Sequence, residues 1–226
     1  PPMDPYRCPP GPYERAAMIA HYLKTRKPKS KLIILDPKRT FSKQGPFQEA
    51  FKKYYAGILE HRLSDEIDNH GVVEVDVRSK TVVTKKGDKI RADVANIIPN
   101  QKAGEIAFKA GVTEGDWCPI DPATFASRKN PDIFVLGDSS VAVPMPKSGF
   151  SANSQGKLVA SVLLHQVGGK EAPLHRLRNT CWSLVAPDDT ILVGANYPVK
   201  EGKLEASGSF VSQTNEDAGL RKKNFE

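Results

Sequence analysis

Between residues 13 and 25 apolar positions recur three and four apart, with Ala16, Ile19, Ala20 and Leu23 on one face. This spacing predicts a helix that lysines close and Pro28 stops. The run Leu32-Ile33-Ile34-Leu35, led by Lys31 and ended by Asp36, predicts a short buried strand. A turn with proline and glycine, then a helix, then an apolar strand about 20 residues on is the outline of a dinucleotide-fold unit. Residues 47–55 predict a second helix. The period then falls to two: 71–77, 81–84 and 90–94, the last pair joined by Lys86-Gly87-Asp88, predict hairpins with one wet face. Ala95-Asn96-Ile97-Ile98-Pro99 predicts a further buried strand that ends a domain.

From residue 103 the texture changes. Residues 104–110 predict a short helix and 121–125 a loop. Asp132-Ile133-Phe134-Val135-Leu136-Gly137-Asp138 predicts a strand that delivers an acid at its C-terminal end. A helix opens within 148–153 and runs to about residue 166. After Gly168-Gly169, the segments 179–185, 190–197 and 203–211 predict a small antiparallel appendage. There is no internal repeat and no low-complexity tract.

A chain of 226 residues suffices for one large core or two modest ones. The longest apolar run, 158–164, is broken by Ser161 and falls short of the roughly 20 apolar residues that span a membrane. Three of the first five residues are prolines, with no signal-peptide pattern, so the chain reads as a piece of a longer protein that opens on an extended loop. The net charge of +7 raises the question of nucleic acid. Its basic clusters at 24–31 and 221–223 lack interleaved aromatics and read as solvated faces, so no nucleic-acid partner is expected. Three cysteines are too few for a disulfide scaffold and wrongly spaced for zinc. They permit one bridge and one free thiol, without saying which two pair. The five histidines are scattered, and no metal set or triad emerges.

Two segments carry candidate chemistry. Gly137-Asp138 after an apolar run lets a polyol approach the backbone while the carboxylate accepts from a hydroxyl. Lys147, Ser148, Gly149 and Ser151 lie at the start of the next helix, whose N–H groups and dipole favour an electron-rich group. An ordinary turn is the plainer reading. In Cys8-Pro9-Pro10-Gly11-Pro12-Tyr13-Glu14-Arg15, three prolines have no N–H to offer a pyrophosphate, which argues against nicotinamide nucleotide there. The same prolines would hold the cysteine in one geometry, with Glu14 as a proton carrier. The alternative is a helix start whose first-turn acid suits the dipole. Cys181 and Cys118 read first as packing residues.

Three segments together resemble one family. Cys8-Pro-Pro-Gly-Pro-Tyr-Glu-Arg15 resembles the redox-cysteine loop of the flavoprotein subunit of flavocytochrome c sulfide dehydrogenase. Asp121-Pro-Ala-Thr-Phe125, Phe134-Val-Leu-Gly-Asp138 and Met145-Pro-Lys-Ser-Gly-Phe-Ser-Ala-Asn153 resemble its flavin-contacting segment, and Asn179-Thr-Cys-Trp182 the strand with the second redox cysteine. The resemblance implies an α/β, glutathione-reductase-like two-domain nucleotide-binding fold lacking its N-terminal half, plus a small α+β interface domain. Residues 1–102 would be the inserted nucleotide-binding-like domain, 103–172 the returning part of the FAD domain and 173–226 the interface domain. It implies a redox disulfide between Cys8 and Cys181, with Glu14 managing protons. FAD would be held at Gly137, Asp138, Lys147, Ser148, Gly149 and Ser151. Sulfide would be the substrate and a c-type cytochrome subunit, carrying the haem, the partner; no metal site and no membrane span are expected. The implied location is the periplasm. The family's Gly-rich loop for the ADP half of FAD does not occur here, so this stretch alone is expected to bind FAD weakly and to be inactive. The alternatives are a sulfide:quinone oxidoreductase-like enzyme and a non-catalytic interaction domain.

Overall fold

The computed structural model describes residues 1–66, 68–168 and 175–212. Helix α1 (Gly11–Arg26) begins as soon as the proline run allows. Pro12 sits in its first turn, where a missing N–H costs nothing. Glu14 in that turn and Lys24 and Arg26 in the last suit the helix dipole. Its buried stripe is Tyr13, Ala16, Ala17 and Ala20, and the alanines let neighbouring elements approach closely. Strand β1 (Leu32–Asp36), helix α2 (Gln44–Tyr55) and strand β2 (Leu59–Leu63) complete a β-α-β unit, with Leu32 opposite Leu59 in a parallel pair. The sequence pattern gives no sign of β2. Its centre is Glu60-His61-Arg62 and all five residues are half-buried, so neither alternation nor an apolar run marks it.

Asp36 ends β1 where a dinucleotide fold presents an acid to a ribose. Here it is 0 % exposed. Its Oδ1 lies 2.8 Å from Lys38 Nζ, its Oδ2 accepts from Tyr13 Oη at 2.5 Å, and His61 Nε2 lies 3.2 Å from Oδ2. Burial alone would raise this carboxyl. Hydrogen bonds from His61, Lys38 and Tyr13 outweigh burial and hold it well below the usual carboxylate range.

Strands β3 (Val72–Asp76), β4 (Thr81–Thr84) and β5 (Lys89–Arg91) form the expected antiparallel meander. Its third strand stops at Arg91 rather than reaching 94, and Val94 is exposed. Residues 95–99 are not the buried strand the pattern predicts, for they pair with no described strand and Ile97 is exposed. An apolar run becomes a strand only where a neighbour takes its N–H and C=O groups.

Helix α3 (Glu105–Lys109) leads to strand β6 (Cys118–Pro119), which pairs in parallel with β7 (Ser140–Val141). The strand expected at 132–138 is replaced by a shorter device. Ser127 and Val135 N–H donate to the Ile133 and Phe125 carbonyls, Phe134 bridges Ala126, and Gly137–Ser139 turns as a 3-10 helix. Helix α4 (Gly149–Gly168) follows. Strands β8 (Arg178–Ala186) and β12 (Ser207–Val211) flank β9 (Asp189–Asn196) in an antiparallel sheet. Strands β10 (Val199–Lys200) and β11 (Lys203–Leu204) form a small ribbon, so the strand predicted over 203–211 is two strands.

The chain is thus mixed α/β, and its last strands are wedged into two of its cores. One core joins Tyr13, Phe47, Phe51 and Tyr55 to Val185 of β8 and Ile191 of β9. A second packs Phe125, Met145 and Leu158 against Leu177, Tyr197 and Leu204. A third gathers Ala103, Ala107 and Val112 around Cys118. Tyr55 Oη donates to the Val185 carbonyl at 2.6 Å across the first core. Tyr55→Phe, which leaves that buried carbonyl unmet, is expected to cost about 1–3 kcal/mol in urea denaturation.

Candidate functional site

Cys8 lies in the left-handed region at φ 52°. That conformation costs a non-glycine residue roughly 1–2 kcal/mol. Here it is pinned from both sides: the Cys8 N–H donates to the Lys147 carbonyl at 2.8 Å, and its carbonyl accepts from Gly11 N–H at 2.8 Å. Gly11 lets the loop close tightly, since a Cβ there would stand 3.1 Å from Cys8 Sγ and press on it. The proline-fenced loop therefore holds one geometry and ties the first cysteine to the start of α4.

Cys181 lies half-buried on β8, opposite Val193 of β9. All three cysteines are free thiols in this structure. Burial pushes Cys8 up; the charges of Cys181 and Glu14 push it further, while the Gly11 N–H and Lys43 act against them. Two thiols about 170 residues apart in sequence are thus within electrostatic reach of each other. Glu14 serves the same junction: its Oε1 accepts from the Leu184 N–H at 2.8 Å, fastening α1 to β8. Cys118 is set apart, fully buried in the third core.

Lys43, at the N-cap of α2, is the site residue that sequence reasoning missed. Its side chain turns inward, and Nζ donates to Ser183 Oγ at 2.8 Å, to the Cys181 carbonyl at 3.0 Å and to the Ile191 carbonyl at 3.3 Å. Its charge acts on the Cys181 thiol, working against the burial that pushes that thiol up. Burial pushes the ammonium down, and the charges of Cys181, Glu14 and Cys8 pull it back up. A lysine in a polar stretch before a helix reads as solvated, and nothing in its neighbours' hydropathy signals otherwise.

The segment around 137–151 meets Cys8 directly, through the Lys147 carbonyl. Gly137 has φ 71°, which glycine alone adopts at no cost, and its N–H donates to Gln155 Oε1 at 2.7 Å. Beside it Asp138 Oδ1 is buried and has no hydrogen-bond partner among the described residues. Lys147 Nζ donates to the Asp138 and Ser140 carbonyls at 2.7 and 2.8 Å and lies 3.8 Å from the Trp117 ring centre. Burial pushes this lysine down to about 8. Ser148 caps α4, its Oγ accepting from the Ser151 N–H, and both hydroxyls bond Asn179 Oδ1, at 2.5 and 3.2 Å. Gly149 is the first residue of that helix. The Ser148 and Ser151 side chains are therefore engaged with β8, two residues before Cys181. Two cavities flank the Cys8 loop. One of about 400 Å³ is lined by Tyr6, Pro9, Gly137, Met145 and Lys147. The other, of about 680 Å³, is lined by Arg7, Cys8, Glu14, Arg15 and Met18 among others.

Residues 1–99 match the family model for the central part of the sulfide dehydrogenase [flavocytochrome c] flavoprotein chain. Residues 173–226 match that for the flavin-binding part of flavocytochrome c sulphide dehydrogenase. The chain belongs to the flavoprotein family of flavocytochrome c sulfide dehydrogenase. Among solved structures, a chain of the Tetrahymena thermophila mitochondrial ATP synthase, an F1Fo composite tetramer seen by cryo-EM, has a similar fold. The TM-score is 0.66 at 19% identity, over 99% of this chain and 55% of that one. This chain thus spans about half the length of that relative, and the likeness is one of fold alone. For a flavocytochrome c sulfide dehydrogenase flavoprotein, the unmet, buried Asp138 Oδ1, next in sequence to the cavity-lining Gly137, fits a flavin, whose ribityl hydroxyls are donors that need such an acceptor. Among the described residues, no helix is long and apolar enough to cross a membrane.

Proposed function

We propose that this chain is the part of a sulfide dehydrogenase flavoprotein in which sulfide is oxidised at a Cys8–Cys181 disulfide beside FAD, with electrons passing on to a c-type cytochrome subunit. The observation that supports it most is that Glu14, six residues after Cys8, is fastened to β8 at Leu184, while the buried Lys43 bonds the Cys181 carbonyl and Ser183 on the same strand. Hydrosulfide attacks one sulfur of the bridge; a sulfur–sulfur bond to it forms as the Cys8–Cys181 bond breaks. One cysteine is left as a persulfide and the other as a thiolate. When bound, the flavin supplies a two-electron acceptor beside that thiolate. The chain's own residues do the rest. Asp138 Oδ1 would accept from a ribityl hydroxyl, and Gly137, Lys147 and Gly149 would help to hold the flavin. Ser148 and Ser151 act through Asn179, keeping the start of α4 in register with β8. Glu14 uses Oε1 on Leu184 and offers Oε2 to a proton of the incoming sulfide.

Anaerobic titration of the full-length flavoprotein with sulfide tests this reading. One equivalent is expected to bleach the flavin absorbance, and an unreactive flavin would count against it. Asp138→Ala is expected to lower flavin retention about tenfold or more, read as bound flavin after gel filtration, because the ribityl hydroxyl loses a charged acceptor. The second reading is a non-catalytic interaction domain, a frame set in an assembly as in the T. thermophila chain. Purification of a colourless protein inside a large complex would favour it.

A further inference from the structure

The ammonium of Lys43 is fixed rather than wandering. Ser183, Ile191 and the Cys181 carbonyl hold it at 2.8, 3.3 and 3.0 Å, which uses its three N–H groups and sets the charge on the face of β8 that Cys181 and Ser183 share. The residue is 8 % exposed, so water screens this charge poorly. Cys8 has weaker support for a negative charge. The Gly11 N–H at the start of α1 is taken by the carbonyl of Cys8 at 2.8 Å, and Lys43 reaches Cys8 only through space. Cys8 lines the larger cavity together with Arg7 and Arg15, a route by which a small anion arrives. Thiolate stability and access are therefore divided between the two sulfurs.

We infer that Lys43 is a positioning residue that holds the negative charge of Cys181, so that Cys181 leaves when the bridge opens and the incoming sulfur is taken up on Cys8; this rests on the disulfide reading above. In an exchange reaction the better-stabilised thiolate is the better leaving group, and the nucleophile attacks the other sulfur. The step balances. Hydrosulfide bonds to Cys8 Sγ, the Cys8–Cys181 bond breaks, and its electron pair departs on Cys181 beside the ammonium. The product is a Cys8 persulfide, which keeps the hydrosulfide proton until Glu14 takes it. The groups facing Cys181 are Lys43, Glu14 and Cys8, and those facing Cys8 are Cys181, Glu14 and Lys43.

The test uses the reduced full-length flavoprotein. Alkylation by iodoacetamide is followed against pH, with Cys8 and Cys181 peptides quantified separately by mass spectrometry. In Lys43→Met the Cys181 midpoint is expected to rise by about one to two pH units, with a smaller change at Cys8. Lys43→Arg, which keeps the charge, should return most of that shift. A loss of packing lowers the melting temperature of both variants and does not separate them in this way. An unchanged Cys181 profile in Lys43→Met, in a protein that keeps its flavin, overturns the inference. In the oxidised wild type, one equivalent of sulfide followed by trapping should place the added sulfur on Cys8, and finding it on Cys181 also overturns it. If no sulfur is added to either cysteine while the Lys43→Met shift stands, Lys43 keeps its role and the disulfide reading fails.

Discussion

Replacing Cys8 or Cys181 by serine in the full-length flavoprotein is expected to stop the bleaching of flavin by sulfide, while dithionite still bleaches it. The fall in rate should be about 1,000-fold or more, as for removal of a covalent group the reaction passes through. The competing idea is that the bridge is only a staple. A link closing a loop of about 170 residues would constrain the unfolded chain by roughly 5 kcal/mol in the chain-entropy model, whose mechanism is disputed. That idea expects both variants to melt earlier and to react with sulfide at near-normal rates. The junction argues against it. Glu14 to Leu184, Tyr54 to Asp189, Tyr55 to Val185 and Lys43 to Ser183 already fasten the first 60 residues to β8 and β9, around a shared apolar core. Stopped-flow absorbance of the two variants decides, and fast reduction by sulfide in either one refutes the catalytic bridge.

The second large effect is expected at Asp36. Asp36→Ala would leave Lys38, only 5 % exposed, without its carboxylate. Breaking a buried pair from one side costs about 3–5 kcal/mol. Lys38 Nζ keeps one bond to the Pro2 carbonyl at 2.8 Å, and Tyr13 and His61 lose a shared acceptor. The pH dependence has a definite sign. A carboxyl held below its unfolded value of about 3.9 contributes stability that is complete above that pH. The contribution drains away as pH falls through the depressed folded value. Wild type should therefore lose stability below about pH 4 faster than Asp36→Ala does. Urea midpoints of both proteins between pH 3 and 7 measure this, and parallel curves would show that Asp36 is protonated or unpaired in solution.

Much of the site is legible from residue order because its cysteine loop and its Gly-Asp turn each carry local constraints. Prolines stiffen the chain that follows Cys8, and glycine suits the positive φ at Gly137. The rest depends on tertiary burial of polar groups, which hydropathy ranks as surface. Lys43 and Asp36 turn inward because partners from β8, β9 and β2 await them, and those partners are remote in sequence. Strand β2 is hidden for the same reason, with polar residues packed beside a polar cluster. The opposite error occurs at 95–99, where apolar residues suggest a strand that no described neighbour completes.

The core that Tyr13, Phe47 and Tyr55 share with Val185 and Ile191 bears on how the chain is made. Val185 is translated 130 residues after Tyr55. At synthesis rates of about 5–20 residues per second, that interval is on the order of ten seconds. Throughout it the aromatic face of the first two helices has no hydrophobic partner from β8 or β9 to cover it. A nascent chain in this condition is a natural client for a holdase chaperone, and a premature stop before β8 would make that exposure permanent. Cys8 and Cys181 are therefore brought together only after β8 has been made, when the first core closes.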